Sequence, residues 1–176
     1  MYLHFSSKAG TLTSLQGVLK TARIAPLLSF TVADWEASRE ACLLDIPPCL
    51  GEDAWIVRSS CGSEDGSSAS NAGAFLSVPN VGAEGLVKAV EQVIATYGEP
   101  RPADEVLIQP MLRKVLRSGV AFTHDPNTCA PYRVVNWSEG SDTAAVTGGM
   151  GSRLWQQAAK STVPPAPTFS PIVALL

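Results

Sequence analysis

The chain contains 176 residues, and its 13 basic and 16 acidic side chains give a net charge of −3. This small charge excludes the strongly basic surface of nucleic-acid-binding and membrane-surface proteins, so we expect no nucleic acid and no membrane among its partners. Apolar residues make up 45% of the chain and charged residues 16%, which excludes general disorder and predicts one domain or two small subdomains.

An apolar stripe near the start of the chain predicts the first helix. Leu12, Leu15, Leu19 and Ala22 recur at the three- and four-residue spacing of one helix face, with Thr11 available as the cap. We therefore expect a helix that spans this stripe.

Two short strands and a second helix are predicted next. Apolar runs indicate strands over 27–32 and 54–57, and residues 35–44 show a helical pattern. Pro47 and Pro48 are expected to end that helix, because proline lacks the amide hydrogen that a helix interior needs.

A long loop separates this region from the clearest helical pattern of the chain. Residues 59–73, SSCGSEDGSSASNAG, follow neither the helical nor the strand period and are predicted to form loop. A strand over 74–78 and a helix are expected after it. The apolar face of that helix carries Leu86, Val90, Val93 and Tyr97, with Gly98 at its end.

The second half of the chain is predicted to be mainly antiparallel β. Strand patterns occupy 105–109, 118–123 and 133–137, and DPNTCAP at 125–131 is typical of a hairpin turn. Residues 150–176 are interpreted as a helix and a proline-rich tail. Because they stop in the apolar segment PIVALL, we expect an interrupted element of a longer architecture.

The cysteines indicate a reducing compartment. Cys42, Cys49, Cys61 and Cys129 form no CxxC pair and have no histidine at ligand spacing, which argues against a zinc site and a disulfide framework. No apolar run approaches the roughly 20 residues of a membrane span, and the N-terminus lacks an apolar signal core. We therefore expect a cytoplasmic protein.

Arg58 is the first candidate site residue, since it follows a predicted buried strand and precedes the Ser/Gly-rich loop. A strand end holds a guanidinium in place, while the loop can turn backbone amides toward phosphate oxygens. The hydroxyls of Ser59, Ser60 and Ser70 add further donors. This combination predicts an anion site suited to polyphosphate.

A plainer interpretation of the same residues stays open. Arg58 could instead pair with Glu64 or Asp65, with the loop merely solvated. The chain has neither a P-loop motif nor a complete GxGxxG motif, so these common nucleotide signatures do not decide between the two.

The order of residues around Arg58 resembles a known family. VRSSCGSEDGSSASNAG is similar to the loop of the phosphoenolpyruvate synthase and pyruvate phosphate dikinase family, which reads VRSS, a short gap, ED and SxAG. SKAG at 7–10, VLIQPML at 106–112 and SGVAFTHDP at 118–126 resemble three more family segments in the same order. The resemblance covers residues 1 to about 149 and implies an ATP-grasp domain, in which ATP lies between two α+β subdomains.

The resemblance also implies roles for individual residues. Lys8 and Arg58 match the basic residues that hold the ATP phosphates, and we expect them to be the catalytic side chains. The expected nucleotide-binding set also includes Ser59, Ser60, the loop residues Ser70, Ala72 and Gly73, and the adenine-strand residues Gln109, Met111 and Leu112. Two alternatives stay open: Lys8 as a solvated surface lysine, and Met111 as a core residue.

The remaining acidic and histidine side chains are weaker candidates. Asp125 is expected to cap its turn, whereas Glu139 and Asp142 lie in a segment that resembles the family's Gly-rich stretch and are candidates for a supporting role. His4 and His124 are interpreted as structural or surface residues.

The chain departs from the family after its Gly-rich segment. It lacks the DIE-like acidic strand that supplies the Mg²⁺ ligands, the phosphohistidine domain and the pyruvate-binding barrel. The resemblance therefore implies Mg²⁺ ligands outside this chain, and downstream domains or a partner chain that complete the fold. We expect this chain by itself not to turn over ATP.

These expectations combine into an α+β protein with a partial ATP-grasp fold, helix-rich in its N-terminal half and antiparallel β in its C-terminal half. The expected division is an α/β subdomain with the phosphate loop at 1–98, a β part at 103–149, and the tail at 150–176.

The expected function is the ATP-binding part of a phosphoenolpyruvate synthase-like phosphotransferase, or kinase, that positions ATP phosphates for transfer. The alternative is a non-catalytic module of the same fold that binds a nucleotide or a partner.

Overall fold

The structure is a computed structural model that describes residues 6–51, 54–61, 76–140 and 152–176. The helices are α1 (Lys8–Leu15), α2 (Val32–Ala37), α3 (Arg39–Leu44), α4 (Ile46–Leu50), α5 (Leu86–Ala95) and α6 (Ser170–Val173). The strands are β1 (Leu28–Thr31), β2 (Trp55–Ser60), β3 (Ser77–Val81), β4 (Glu105–Pro110), β5 (Arg117–Phe122), β6 (Tyr132–Glu139) and β7 (Arg153–Ala158). All described strand pairs are antiparallel. The expected α+β class is confirmed.

The described residues fall into two units. The N-terminal unit comprises Met1–Val18 and Arg23–Met111, and the C-terminal unit comprises Leu19–Ala22 and Leu112–Leu176. The N-terminal unit therefore extends past residue 98, where the sequence pattern suggested a boundary. The reason is that β4 pairs with β1 and β2 in the centre of the N-terminal sheet.

The N-terminal unit is built on a four-stranded sheet in the order β1-β4-β2-β3. Its apolar core lies between one face of this sheet and α5. Trp55, Val57, Val106 and Ile108 contribute from the strands, and Leu86, Ala89, Val90 and Val93 contribute from the helix. Burial of each of the valine, leucine and isoleucine side chains is worth about 1.5–3 kcal/mol. This core fixes β2 and β4, which carry Arg58, Ser59, Ser60 and Gln109 of the candidate site.

The predicted boundaries of the first helix are wrong. α1 begins at Lys8 and ends at Leu15, and its cap is Ser7 rather than Thr11, because the Ser7 hydroxyl accepts a hydrogen bond from the Gly10 amide at 3.2 Å. The apolar stripe does continue to Ala22, but the backbone at Gln16 is extended, with ψ of 129°, and Gly17 follows with φ of +79°. The helix therefore ends before the stripe does, and glycine accepts the left-handed conformation that follows.

The helix predicted over 35–44 is divided in two at Ser38. Its backbone is extended there, with φ of −160°, and the Ser38 hydroxyl caps α3. Thr31 and Asp34 form a capping box at the start of α2, and the Thr31 hydrogen bonds lower the pKa of Asp34. Pro47 and Pro48 lie within α4 instead of ending a helix. A first helical turn accepts proline, because its amides have no partner inside the helix.

The C-terminal unit contains a three-stranded sheet in the order β5-β6-β7. The predicted hairpin between β5 and β6 is confirmed, with Gly119 opposite Trp137. A methyl group on Gly119 would overlap the carbonyl oxygen of Asn136, which explains the glycine. β7 occupies a region in which the sequence pattern suggested a helix. It pairs with β6, and Trp155 stacks on Phe169 with ring centroids 4.8 Å apart.

Across the described ranges, no helix has the length and apolar character that a membrane-spanning segment requires.

Candidate functional site

The candidate site lies on the face of the N-terminal sheet opposite α5. Side chains alternate between the two faces of a strand, so Trp55 and Val57 of β2 face α5 whereas Arg58 and Ser60 point to the other side. Arg58 lies between Ser77 of β3 and Leu107 of β4. The Arg58 guanidinium, near the C-terminal end of β2, therefore lies on the sheet face that α5 does not cover.

Arg58 holds a buried donor that no described residue satisfies. Its Nε is buried and has no hydrogen-bond partner within the described ranges. An unsatisfied buried donor costs about 1–3 kcal/mol, and more when it is charged. Glu64 and Asp65, the alternative partners of Arg58, lie outside the described residues. The Nε of Arg58 therefore lacks a hydrogen-bond acceptor among the described residues.

Lys8 is held at the same end of β2. Its Nζ donates a hydrogen bond to the carbonyl oxygen of Ser59 at 3.1 Å. The backbone of α1 is attached to the same strand, because the Ala9 amide donates to the Ser60 hydroxyl at 2.8 Å. Lys8 is therefore not a freely solvated lysine. The two basic residues predicted for the site are brought together through β2.

The two serines that follow Arg58 have different positions. Both are buried, with exposed fractions of 1%. Ser60 shares the face of Arg58, and its hydroxyl accepts from the Ala9 amide. Alternation directs the Ser59 side chain to the α5 face, so the observed contact of Ser59 with Lys8 uses its carbonyl oxygen.

The predicted adenine strand corresponds to β4. Gln109 is buried opposite Ile56, on the same face as Arg58. The Met111 amide donates to the Ala54 carbonyl oxygen at 2.8 Å, so it extends the sheet ladder. Leu112 is 65% exposed and is the first residue of the second segment of the C-terminal unit. The structure brings Gln109 to the Arg58 face of the N-terminal sheet, and Leu112 belongs to the other unit.

Several predicted residues lie outside the described ranges. These are Ser70, Ala72 and Gly73 of the phosphate loop, together with Asp142 and His4.

The remaining polar candidates belong to the C-terminal unit, where each has a local role. Glu139 forms an exposed ion pair with Arg153 at 3.2 Å. Asp125 caps its turn as expected, because its Oδ1 accepts from the amides of Asn127 and Thr128 at 2.9 and 2.8 Å. These hydrogen bonds lower the pKa of Asp125. His124 is an exposed residue of the same hairpin, as the sequence suggests.

Glu105 is a site residue that the sequence did not identify. Its Oε2 accepts hydrogen bonds from the hydroxyls of Ser7 and Ser60, which are 98 and 45 residues away in the chain. The one available signal is a charged residue at the start of the apolar run Val106–Ile108. That signal is weak, because a charge at a strand end is normally solvated.

No group of three or more His, Cys, Asp or Glu side chains suited to a metal ion occurs among residues 6–51, 54–61, 76–140 and 152–176. The chain matches no protein-family model and no curated protein at a significant level.

Proposed function

We propose that this chain is the ATP-binding part of a phosphotransferase similar to phosphoenolpyruvate synthase, with a partial ATP-grasp fold. The observation that carries the proposal is the buried, unsatisfied Nε of Arg58, which lies within the VRSS segment and next to the Lys8–Ser59 contact. A phosphate oxygen would satisfy this donor. Charge-assisted hydrogen bonds from guanidinium and ammonium groups are among the stronger polar contacts in proteins.

The chemistry of the described donors fits a polyphosphate. Arg58 is in no ion pair with another described residue, and the Lys8 ammonium donates to the Ser59 carbonyl oxygen on the same strand. Both side chains are anchored on a rigid strand or on a helix attached to it, which is what a binding site needs for accurate placement. The two residues would hold the phosphates, and the chain would contribute position and charge.

The base end of the proposed site lies further along the sheet. The Ala54 carbonyl oxygen accepts from the Met111 amide, and Ala54 is five residues before Ser59. At 3.3 Å per residue, Ala54 at the base end and Ser59 at the phosphate end are about 16 Å apart. This separation is on the scale of an extended nucleoside triphosphate. Gln109 lies between the ends on the Arg58 face and would offer an amide to the base or ribose.

The described residues contain no group of three or more potential metal ligands. The Mg²⁺ ligands of the proposed phosphotransferase would lie outside this chain. The phosphotransferase itself would then be completed by further domains or by a partner chain. A cytoplasmic location is part of the proposal and is supported by the absence of a disulfide between the described cysteines.

Calorimetric titration of the full chain with ATP and with adenosine tests the proposal. We expect ATP to bind at least about 10-fold more tightly than adenosine, because one charge-assisted hydrogen bond is worth about 1.5–3 kcal/mol. The exposed Arg23 serves as a matched control, and Arg23→Ala should leave this ratio unchanged. Equal affinities for the two ligands, or no binding of ATP, would contradict the proposed function.

A further inference from the structure

The start of α1 is fastened to the sheet by one carboxylate. Glu105 Oε2 accepts from the Ser7 hydroxyl, which lies directly before the helix, and from the Ser60 hydroxyl at 3.4 Å. Glu105 and Ser60 are opposite each other at the end of the β2–β4 ladder. One side chain therefore connects α1, β2 and β4.

The hydrogens in this network can be assigned without conflict. The Ser7 hydroxyl accepts from the Gly10 amide at 3.2 Å, and the Ser60 hydroxyl accepts from the Ala9 amide at 2.8 Å. Each hydroxyl has a single hydrogen, and in both residues it is donated to Glu105. The carboxylate thus orients both hydroxyls so that their lone pairs face the first turn of α1.

The backbone beneath Glu105 is fixed from another element. The Tyr97 hydroxyl donates to the Glu105 carbonyl oxygen at 2.6 Å and accepts from the Ser60 amide at 3.4 Å. Tyr97 follows α5, which packs on the core face of the sheet. The backbone of Glu105 is therefore fixed by its contact with Tyr97, and its side chain can hold the start of α1 in place.

Lys8 lies between the two attachment points of this network. Ser7 precedes it and Ala9, which is fully buried, follows it. With its backbone fixed on both sides, the Lys8 side chain reaches the Ser59 carbonyl oxygen beside Arg58. Without the Glu105 carboxylate, the Ser7 and Ser60 hydroxyls would be free to rotate away from α1.

We propose that Glu105 is a positioning residue that places Lys8 for phosphate binding, acting through the hydroxyls of Ser7 and Ser60. This inference rests on the proposed function, since it assigns the role of Glu105 within the same site. Glu105 acts here as a hydrogen-bond acceptor. One oxygen receives both hydroxyls, and a glutamine oxygen has the two lone pairs needed to do the same.

The test compares Glu105→Ala and Glu105→Gln in the full chain, each in the parent and in a Lys8→Met background, by titration with ATP and adenosine. We expect Glu105→Ala to weaken ATP binding roughly 10-fold while adenosine binding is unchanged. Glu105→Gln should stay within about threefold of the parent. In the Lys8→Met background, Glu105→Ala should have little further effect, because both changes remove the same contact. Glu99→Ala, which removes an exposed carboxylate, is the matched control.

A second measurement needs no ligand. Glu105→Ala should accelerate hydrogen exchange at the Ala9 and Gly10 amides, and Glu105→Gln should not. Unchanged exchange in Glu105→Ala, equal losses for ATP and adenosine, or a full additional loss in the Lys8→Met background would each overturn the positioning role. Failure of the parent chain to bind ATP would remove the proposed function itself, and the phosphate role of Glu105 with it.

Discussion

Replacing Arg58 with methionine is expected to weaken ATP binding roughly 10- to 150-fold, while the ligand-free chain stays at least as stable as the parent. The loss of affinity follows from removal of charge-assisted hydrogen bonds worth about 1.5–3 kcal/mol. The retained stability follows from the buried Nε of Arg58, which no described residue satisfies. Methionine keeps a long flexible side chain in the space and removes the unsatisfied donor.

These two readouts separate a binding residue from a structural one. Stability is measured by urea denaturation without ligand, and affinity by calorimetric titration with ATP. Arg23→Met, at an exposed position, should change neither. A clear loss of stability in Arg58→Met would show that the guanidinium supports the fold, and an unchanged ATP affinity would remove Arg58 from the site.

Replacing Trp55 with alanine is expected to destabilise the N-terminal unit by about 3–5 kcal/mol, as is typical of large buried aromatic side chains. Trp55 is 2% exposed in the core under α5, and its Nε1 donates to the Gly51 carbonyl oxygen at 3.0 Å. Three residues later β2 carries Arg58. Loss of this anchor should therefore also lower ATP affinity, by allowing the strand to shift.

Trp55→Phe is the matched variant, because it keeps an aromatic ring and removes the indole hydrogen bond. It should cost about 1–2 kcal/mol, most of it from that bond and the smaller ring. Urea denaturation followed by circular dichroism measures both variants. If Trp55→Ala unfolded at the same urea concentration as the parent, the core described here would not be what holds β2.

Elements with strong local periodicity could be predicted from the sequence. The helical spacing of Leu86, Val90 and Val93 predicted α5. These residues form the apolar face of the helix, which packs on the N-terminal sheet. The hairpin turn was also predictable, since Asp125 satisfies the turn amides from within the same short segment. In both cases the signal and the structure lie within a few residues of each other.

The ends of the helices and the pairing of the strands could not be predicted from the local sequence pattern. α1 stops at Leu15 although its apolar stripe continues, and Ser38 divides a segment whose residues all tolerate a helix. The segment Arg153–Ala158 forms a strand because β6 offers it a partner. Whether such a segment forms a strand depends on pairing with a distant segment, and a short stretch of sequence does not show that pairing.

The candidate site was predictable in part. Lys8 and Arg58 stand in recognisable motifs, and the structure holds both at the end of β2. Glu105 was not predictable, because its role depends on Ser7 and Ser60, and the fold alone brings these three residues together. A residue that acts by orienting others has no motif of its own.

Affinity labelling tests most directly whether Lys8 contacts the phosphates of ATP. An acyl phosphate derivative of ATP transfers its acyl group to a lysine amine near the phosphates, and mass spectrometry then locates the label. The four other lysines, Lys20, Lys88, Lys114 and Lys160, are all exposed and serve as internal controls. We predict labelling at Lys8 that excess ATP suppresses and adenosine does not. Labelling spread equally over all five lysines, or labelling of Lys8 that ATP leaves unchanged, would contradict the account.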